Sequence, residues 1–460
     1  TCPRISKEGT RWGEDMATEA EKEGPMARLV AWFDSRLGLS HPLLRPAPLY
    51  SLNVSAWLGA LTVVAFAILA ITGMLMMLYY VPTPAEAYST TSYIFNEVAY
   101  GRFIETVHLY TAYAMVLLMF AHMMRAFFTS VHKRPREMMW IVGMVMGAIT
   151  LGFAFTGYLL PWTVISKSAT DVAVGMISQL PKEIASAVSF LIVGPGGDAG
   201  ELRRFYDLHV VVLPAVLLAL LVVKMYMLEA HGISDPVTKR GRTPEKQRTA
   251  PIFPDVTLYL LELAAMFGAG MLLLGALFPL DLPPGYTPAT AGQYTAQPDW
   301  YFLWLYQILK IAAFEGPGLS GIPAAIALVF LGVSLIACFW FFRKGNWPIG
   351  SILLAITFGL GVLITILLAV TVLLLVLTLL PFLDISDAVH IERRPVFVTV
   401  GAIIVAELTV LAYWGLITPG QVIPTWEGAA VIGGTAAIVA LASLAAFRFA
   451  RGRPGRGIAA

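Results

Sequence analysis

Residues 104–128, IETVHLYTAYAMVLLMFAHMMRAFF, decide the fold. As a helix this run is about 37 Å long, enough to cross the roughly 30 Å hydrocarbon core of a bilayer. Two histidines, His108 and His122, sit inside it, fourteen residues apart. Fourteen residues are close to four turns, so both side chains share one face, about 21 Å apart along the axis. Ionisable side chains are costly in lipid and mark function there.

The rest of the chain reads the same way. Of its 460 residues 58% are hydrophobic and 13% charged. Further apolar runs fall at about 54–80, 138–160, 207–229, 256–278, 322–342, 350–380, 396–417 and 428–448. The predicted fold is all-α, a polytopic transmembrane helix bundle in the cell membrane. Four parts are expected. Residues 1–50 are a polar segment with an interfacial amphipathic helix at 27–38, and 51–232 a four-helix core. A second transmembrane unit spans 250–382, and 383–460 holds additional helices of unassigned role. Residues 1–25 are polar and read as irregular, with Met16 or Met26 as candidate starts. The loops at 161–206 and 279–321 are long and rich in Gly, Pro and aromatics, as functional loops often are.

Basic clusters set the orientation. His132-Lys133-Arg134-Pro135-Arg136, Lys239-Arg240-Gly241-Arg242, Lys246-Gln247-Arg248 and Arg343-Lys344 fall on one side of an alternating topology, which becomes cytoplasmic. The two long loops then face outward. The tail arginines Arg448, Arg451, Arg453 and Arg456 break this pattern if nine spans are counted. A net charge of +2 is uninformative by itself, and nucleic acid is not an expected partner. Cys2 and Cys338 are too few for an iron–sulfur site or a Cys-x-x-Cys-His attachment, so any such centre belongs to another protein.

The histidine pair has the separation that two haems stacked across a membrane require. The alternative for each histidine is a buried hydrogen bond. Gly59 and Gly73 on the first span, and Gly143 and Gly157 on the third, repeat the fourteen-residue spacing. A missing side chain admits a flat macrocycle; close helix packing is the competing use. His209 opens the fourth span level with His108, and the position facing His122 holds Val223 or Lys224. A buried lysine can lose its proton and bind iron. It can also snorkel or pair with a haem propionate. Arg125, one turn past His122, suits a propionate or the cytoplasmic end of the helix.

Outside, GYLLPW (157–162) and QPDWY (297–301) both lie near the His108/His209 level. A quinol loses two protons as it loses two electrons, and a carboxylate in an aromatic pocket can take one. Asp299 is the candidate base, with Tyr301 and Tyr158 beside it. A capped interfacial helix in the aromatic belt would show a similar pattern. His231 and Asp235, after the fourth span, are candidates for an inner quinone site, or ordinary interfacial polar residues. Glu262 and Glu407 lie inside apolar runs as weaker proton-path candidates.

These motifs together resemble the cytochrome b of quinol–cytochrome c oxidoreductases (bc1/b6f), nearest the plastoquinol-type b6f branch with its two subunits fused. The resemblance runs from about Trp32 to Pro348 through WFDSRL, HKRPRE, TGYLLPW, RRFYDLHVVVLP, HGIS, FPDVTLYLL and PDWYFLWLYQILK. It implies two b-type haems, an outer quinol site and an inner quinone site. It also implies bifurcated oxidation with a Rieske iron–sulfur partner, a cytochrome c-like or other downstream acceptor, and a homodimer in the lipid membrane. In that branch the ligand spacing on the fourth span is one residue longer than on the second, which favours Lys224 over Val223, with Pro214 as a cause. Four positions depart from the pattern. Lys224 stands where a histidine is expected, and Asp299 replaces the commoner glutamate. Trp57 stands where the branch has a cysteine bonding an extra haem, and Glu105 replaces an arginine. Residues 385–460 resemble nothing assignable. The rival readings are a haem-bearing anchor of another quinone-linked enzyme, without bifurcation, and a secondary transporter without haem.

Overall fold

The computed structural model describes residues 52–177, 182–233, 249–251, 255–290, 297–311, 374–384 and 394–451, with Trp32, 47–49 and scattered single positions. Seven helices among these are long and apolar enough to cross a membrane: Val54–Met77, Gly101–Phe128, Glu137–Leu159, Asp198–His231, Thr257–Leu277, Pro395–Ile417 and Trp426–Phe449. The protein is therefore a multi-pass integral membrane protein. The interfacial helix expected at 27–38 and the spans expected at 322–342 and 350–380 fall mostly outside the described residues.

Helix α1 (Leu58–Met77) follows a 3-10 turn whose cap, the Asn53 side chain, accepts from the Ala56 amide. A short helix, α2 (Ala87–Asn96), leads into α3 (Gly101–Phe128), which carries His108 and His122. Helix α4 (Glu137–Leu159) has an acid in its first turn, which complements the helix dipole. The stretch 161–206 was expected to be loop; the structure corrects this. It holds α5 (Val164–Ile177), α6 (Lys182–Ile192) and α7 (Asp198–Asp207). The first two are too short to span a bilayer and the third is the polar start of the Asp198–His231 span, so a search for runs of about 20 apolar residues passes over them. Buried Lys167 of α5, paired with Asp171 of its own helix, fastens α5 to α7 through Asp198 and Glu201. Helix α8 (Leu213–His231) ends at Gly232, whose φ of +67° suits a residue without a Cβ. Helix α9 (Thr257–Leu277) follows, then α10 (Leu303–Leu309), α11 (Pro395–Ile417) and α12 (Thr425–Arg451). A two-residue ribbon, β1 (Ala47–Pro48) against β2 (Thr249–Ala250), ties the segment before α1 to the one before α9.

Helices α1, α3, α4 and α8 form the core, with α9 against α1 and α3. Their middle layer is Ala65, Met115 and Leu217, packed with Phe66, Phe153 and Phe267. Met115 lies midway between His108 and His122, and Leu217 about midway between His209 and Lys224. An apolar floor therefore separates an outer level from an inner one. Outward faces carry exposed Val222, Leu261, Met266 and Leu273, as lipid-facing surfaces do.

The basic turn after α3 is not simply a solvated loop. His132 is fully buried, and its Nε2 lies 3.2 Å from the Asp384 carboxylate. Arg394 also pairs with Asp384, and Lys133 reaches it at 3.2 Å. Burial pushes the Asp384 carboxyl up, but His132, Arg394 and Lys133 together hold it below the ordinary carboxylate range. The cluster clamps the start of α11 onto the α3–α4 turn. A buried pair broken on one side leaves an uncompensated charge. Asp384→Ala is expected to lower stability by about 3–5 kcal/mol, read as an earlier thermal unfolding transition in detergent. Because the folded pKa is depressed, the stabilisation from Asp384 is present above its unfolded pKa and lost as pH falls through the folded one.

Candidate functional site

The four candidate ligands face four glycines. A Cβ on Gly73 would sit 3.3 Å from His108 Cε1, and one on Gly157 2.5 Å from His209 Cε1. A Cβ on Gly59 would meet His122 Cε1 at 3.0 Å, and one on Gly143 would meet Lys224 Nζ at 3.0 Å. Both glycine pairs, singled out by spacing, thus lie against His108 and His122 of α3 and against His209 and Lys224 of the fourth span.

At the outer level the rings of His108 and His209 stand across the bundle, centroids 6.5 Å apart. Two metal–imidazole bonds of about 2 Å end to end, plus the ring radii, fill such a span. His108 Nδ1 lies 2.8 Å from Thr72 Oγ1. His209 Nδ1 lies 3.2 Å from Thr156 Oγ1. In both rings Nδ1 is engaged, which leaves Nε2 as the candidate ligating nitrogen. The inner level differs. His122 Nδ1 is buried without a hydrogen-bond partner, and Lys224 and Arg125 lie within charge-interaction range of the ring.

The offset on the fourth span has a structural cause. Leu208–Val212 is a π-helical turn, in which the Leu213 amide donates to the Leu208 carbonyl. Pro214 lacks the N–H that would continue the ordinary ladder. One π-turn absorbs one extra residue. His209 and Lys224, fifteen apart, therefore register with His108 and His122, fourteen apart. Val223 is 43% exposed on the outer face, so Lys224 is the residue that turns inward.

Asp299 lies half-buried, clamped by two phenols. Tyr113 Oη donates to one carboxylate oxygen at 2.9 Å and Tyr301 Oη to the other at 3.0 Å. Tyr158 Oη donates to the Gln297 carbonyl at 3.3 Å. Burial raises the Asp299 carboxyl above its usual range, and the two hydrogen bonds partly offset this. Tyr113 was not singled out from sequence, since a tyrosine within an apolar helix carries no signal of its own. It follows His108 by five residues, and helical side chains lean toward the N-terminus. The carboxylate is therefore held from the half of α3 between His108 and the Met115 layer. From behind, α11 supports this segment: Gly415 approaches Leu303, Lys310 Nζ donates to Thr418, and Gln297 Nε2 lies 3.3 Å from the Gly415 carbonyl.

The carbonyl of His231 accepts from Arg136 at 3.1 Å, and Asp235 lies outside the described residues. Glu262 is exposed on α9. Both Glu407 oxygens and one Glu105 oxygen are buried without a hydrogen-bond partner. Trp57 packs against the small cluster of Ala47, Ala250 and Val256.

Comparison with known proteins agrees with this architecture. The family described as "Cytochrome b(N-terminal)/b6/petB" matches residues 113–288, and "Cytochrome b(C-terminal)/b6/petD" matches 291–432. The chain is 30% identical over 313 residues to the "Cytochrome bc complex cytochrome b subunit" of Chlorobaculum thiosulfatiphilum, covering 65% of this chain and 71% of that one. It is 40% identical over 192 residues to the "Cytochrome b6" of Heliobacterium mobile, covering 42% of this chain and 90% of that one. A chain of the solved "Hyperthermophilic respiratory Complex III" shares the fold, with a TM-score of 0.61, 22% identity and coverage of 94% and 98%. The chain belongs to the cytochrome b family: it is an electron-transport protein of the membrane and an oxidoreductase subunit. Members of this family bind b-type haems. The match to residue 432 takes in α11, so the family region extends past Pro348, where sequence reading ended it.

Gly157→Ala, whose methyl would fall 2.5 Å from His209 Cε1, is expected to lower the haem bound per chain without loss of the fold. Gly270→Ala, where a methyl meets nothing within 4 Å, should leave it unchanged. A pyridine haemochrome assay per mole of chain measures both.

Proposed function

We propose that the chain is the cytochrome b subunit of a bc-type complex that oxidises quinol at its outer face, with bifurcation of the electrons. The observation that carries the reading is the carboxylate of Asp299, clamped by Tyr301 and by Tyr113 of α3, the helix that carries His108. The glycine cradles and free ring nitrogens fit a flat iron macrocycle at each level. His108 and His209 would hold one haem, His122 and Lys224 the other, with Arg125 near the inner propionates. Bound there, haem supplies one-electron redox centres stacked across the membrane.

The residues of the chain do the rest. Quinol binds between GYLLPW and PDWY, where Tyr158 and Tyr301 give an aromatic lining. Asp299 accepts one quinol proton and passes it outward. One electron leaves to a Rieske iron–sulfur partner, which a cytochrome c-like or other acceptor subunit relieves. The other electron enters this chain, and two such turnovers supply the two electrons that, with two protons, reduce one quinone on the cytoplasmic side, where His231 and Asp235 are the candidate proton donors. The chain works within a homodimeric complex. A haem anchor without bifurcation has no need of a carboxylate held at the outer level, and copurification of an iron–sulfur protein separates the two readings.

Lys224→Ala is expected to turn one of two low-spin haem signals high-spin. Two low-spin signals in that variant would refute ligation by the amine. Asp299→Asn should lower quinol-oxidation kcat by about 100-fold or more. The base acts only when deprotonated, so the native rate should rise with pH through a midpoint above the ordinary carboxylate range. Asp299→Asn should remove that rise.

A further inference from the structure

We propose that Tyr113 is a positioning residue for Asp299, fixing the carboxylate to the transmembrane helix that carries His108. The inference rests on the reading of Asp299 as proton acceptor. Tyr301 stands two residues from Asp299 on the same segment, so its hydrogen bond moves with the carboxylate. Tyr113 belongs to α3, and its 2.9 Å bond to Oδ1 ties that carboxylate to the bundle. An aspartate is one methylene shorter than a glutamate, and its carboxylate stays close to its own backbone. A long donor reaching out from the bundle brings the anchor to the acid. The two phenol rings, with centroids 6.2 Å apart, pack against each other, and Tyr301 is buried with Val116 and Met119 of α3.

The groups acting on the Asp299 charge are phenols. Tyr113 from α3 and Tyr301 from its own segment donate to it, and Tyr158 from α4 lies within charge-interaction range. Helix α11, packed on the Trp300–Phe302 turn, brings Glu407, with no hydrogen-bond partner for its oxygens, and exposed Tyr413. Burial pushes the Asp299 carboxyl up, and the two donated hydrogen bonds pull it down. Removing one donor therefore lets the proton affinity rise.

The test is infrared difference spectroscopy of the intact complex during a pH titration, following the protonated-carboxyl band that vanishes in Asp299→Asn. In Tyr113→Phe the midpoint of that band is expected to move up by about one unit, a tenfold gain in proton affinity. Quinol-oxidation kcat should fall with KM for quinol little changed. Tyr110→Phe, whose hydroxyl donates to the Phe278 carbonyl one turn away, should leave the band where it is. A Tyr113→Phe band that titrates as in the native protein overturns the proposal. Full quinol oxidation by Asp299→Asn instead overturns the base reading on which it rests, and the band measurement stays independent of that outcome.

Discussion

The close approach of glycine backbone to the His108, His122, His209 and Lys224 side chains is the constraint on which the rest of the structure depends. Four helices must leave two flat spaces, one above the other, and still bury an apolar layer between them. Gly59 and Gly73 on α1, and Gly143 and Gly157 on α4, open those spaces. Ala65, Met115 and Leu217 close the layer between. Because the glycines and the α3 histidines share one spacing, a shift of one helix by a single turn would put side chain against ring at both levels. The π-turn at Leu208–Val212 is the local adjustment that keeps α8 in this register despite its extra residue.

The two levels share this geometry and differ in chemistry. At the outer one, both imidazoles have Nδ1 engaged by a threonine hydroxyl, which fixes the ring orientation. At the inner one, His122 Nδ1 has no hydrogen-bond partner and the opposite side chain is an amine. An amine on four methylenes is less rigidly held than an imidazole on one, and it must be unprotonated to bind a metal. In the proposed function the inner centre is thus the more adjustable of the two. In that same reading the proton chemistry falls to Asp299, a short carboxylate held by two phenols.

Much of this was legible in sequence, for physical reasons. A fourteen-residue interval is close to a whole number of helical turns, so His108, His122 and both glycine pairs disclose a shared face without any knowledge of the partner helix. Helix geometry alone left Val223 and Lys224 open; the family's longer spacing favoured Lys224, and the π-turn sets the side-chain direction that separates them. Other features depend on contacts between distant positions. His132, Asp384 and Arg394 form one buried cluster across more than 250 residues, and nothing near any one of them predicts the others. The helices between 164 and 207 are short, and their Gly- and Pro-rich surroundings resemble loop. Tyr113 gains meaning only through Asp299, 186 positions away. The support given by α11 likewise emerges from packing on the Trp300–Leu309 segment.

The central claim is two haem sites of unequal ligation in one bundle. Low-temperature electron paramagnetic resonance of the oxidised purified complex, with haem quantified per chain, addresses it most directly. The account predicts two haems per chain and two distinct low-spin signals, one from a bis-imidazole pair and one from an imidazole–amine pair. A single haem per chain, or two signals both of bis-imidazole type, would contradict it.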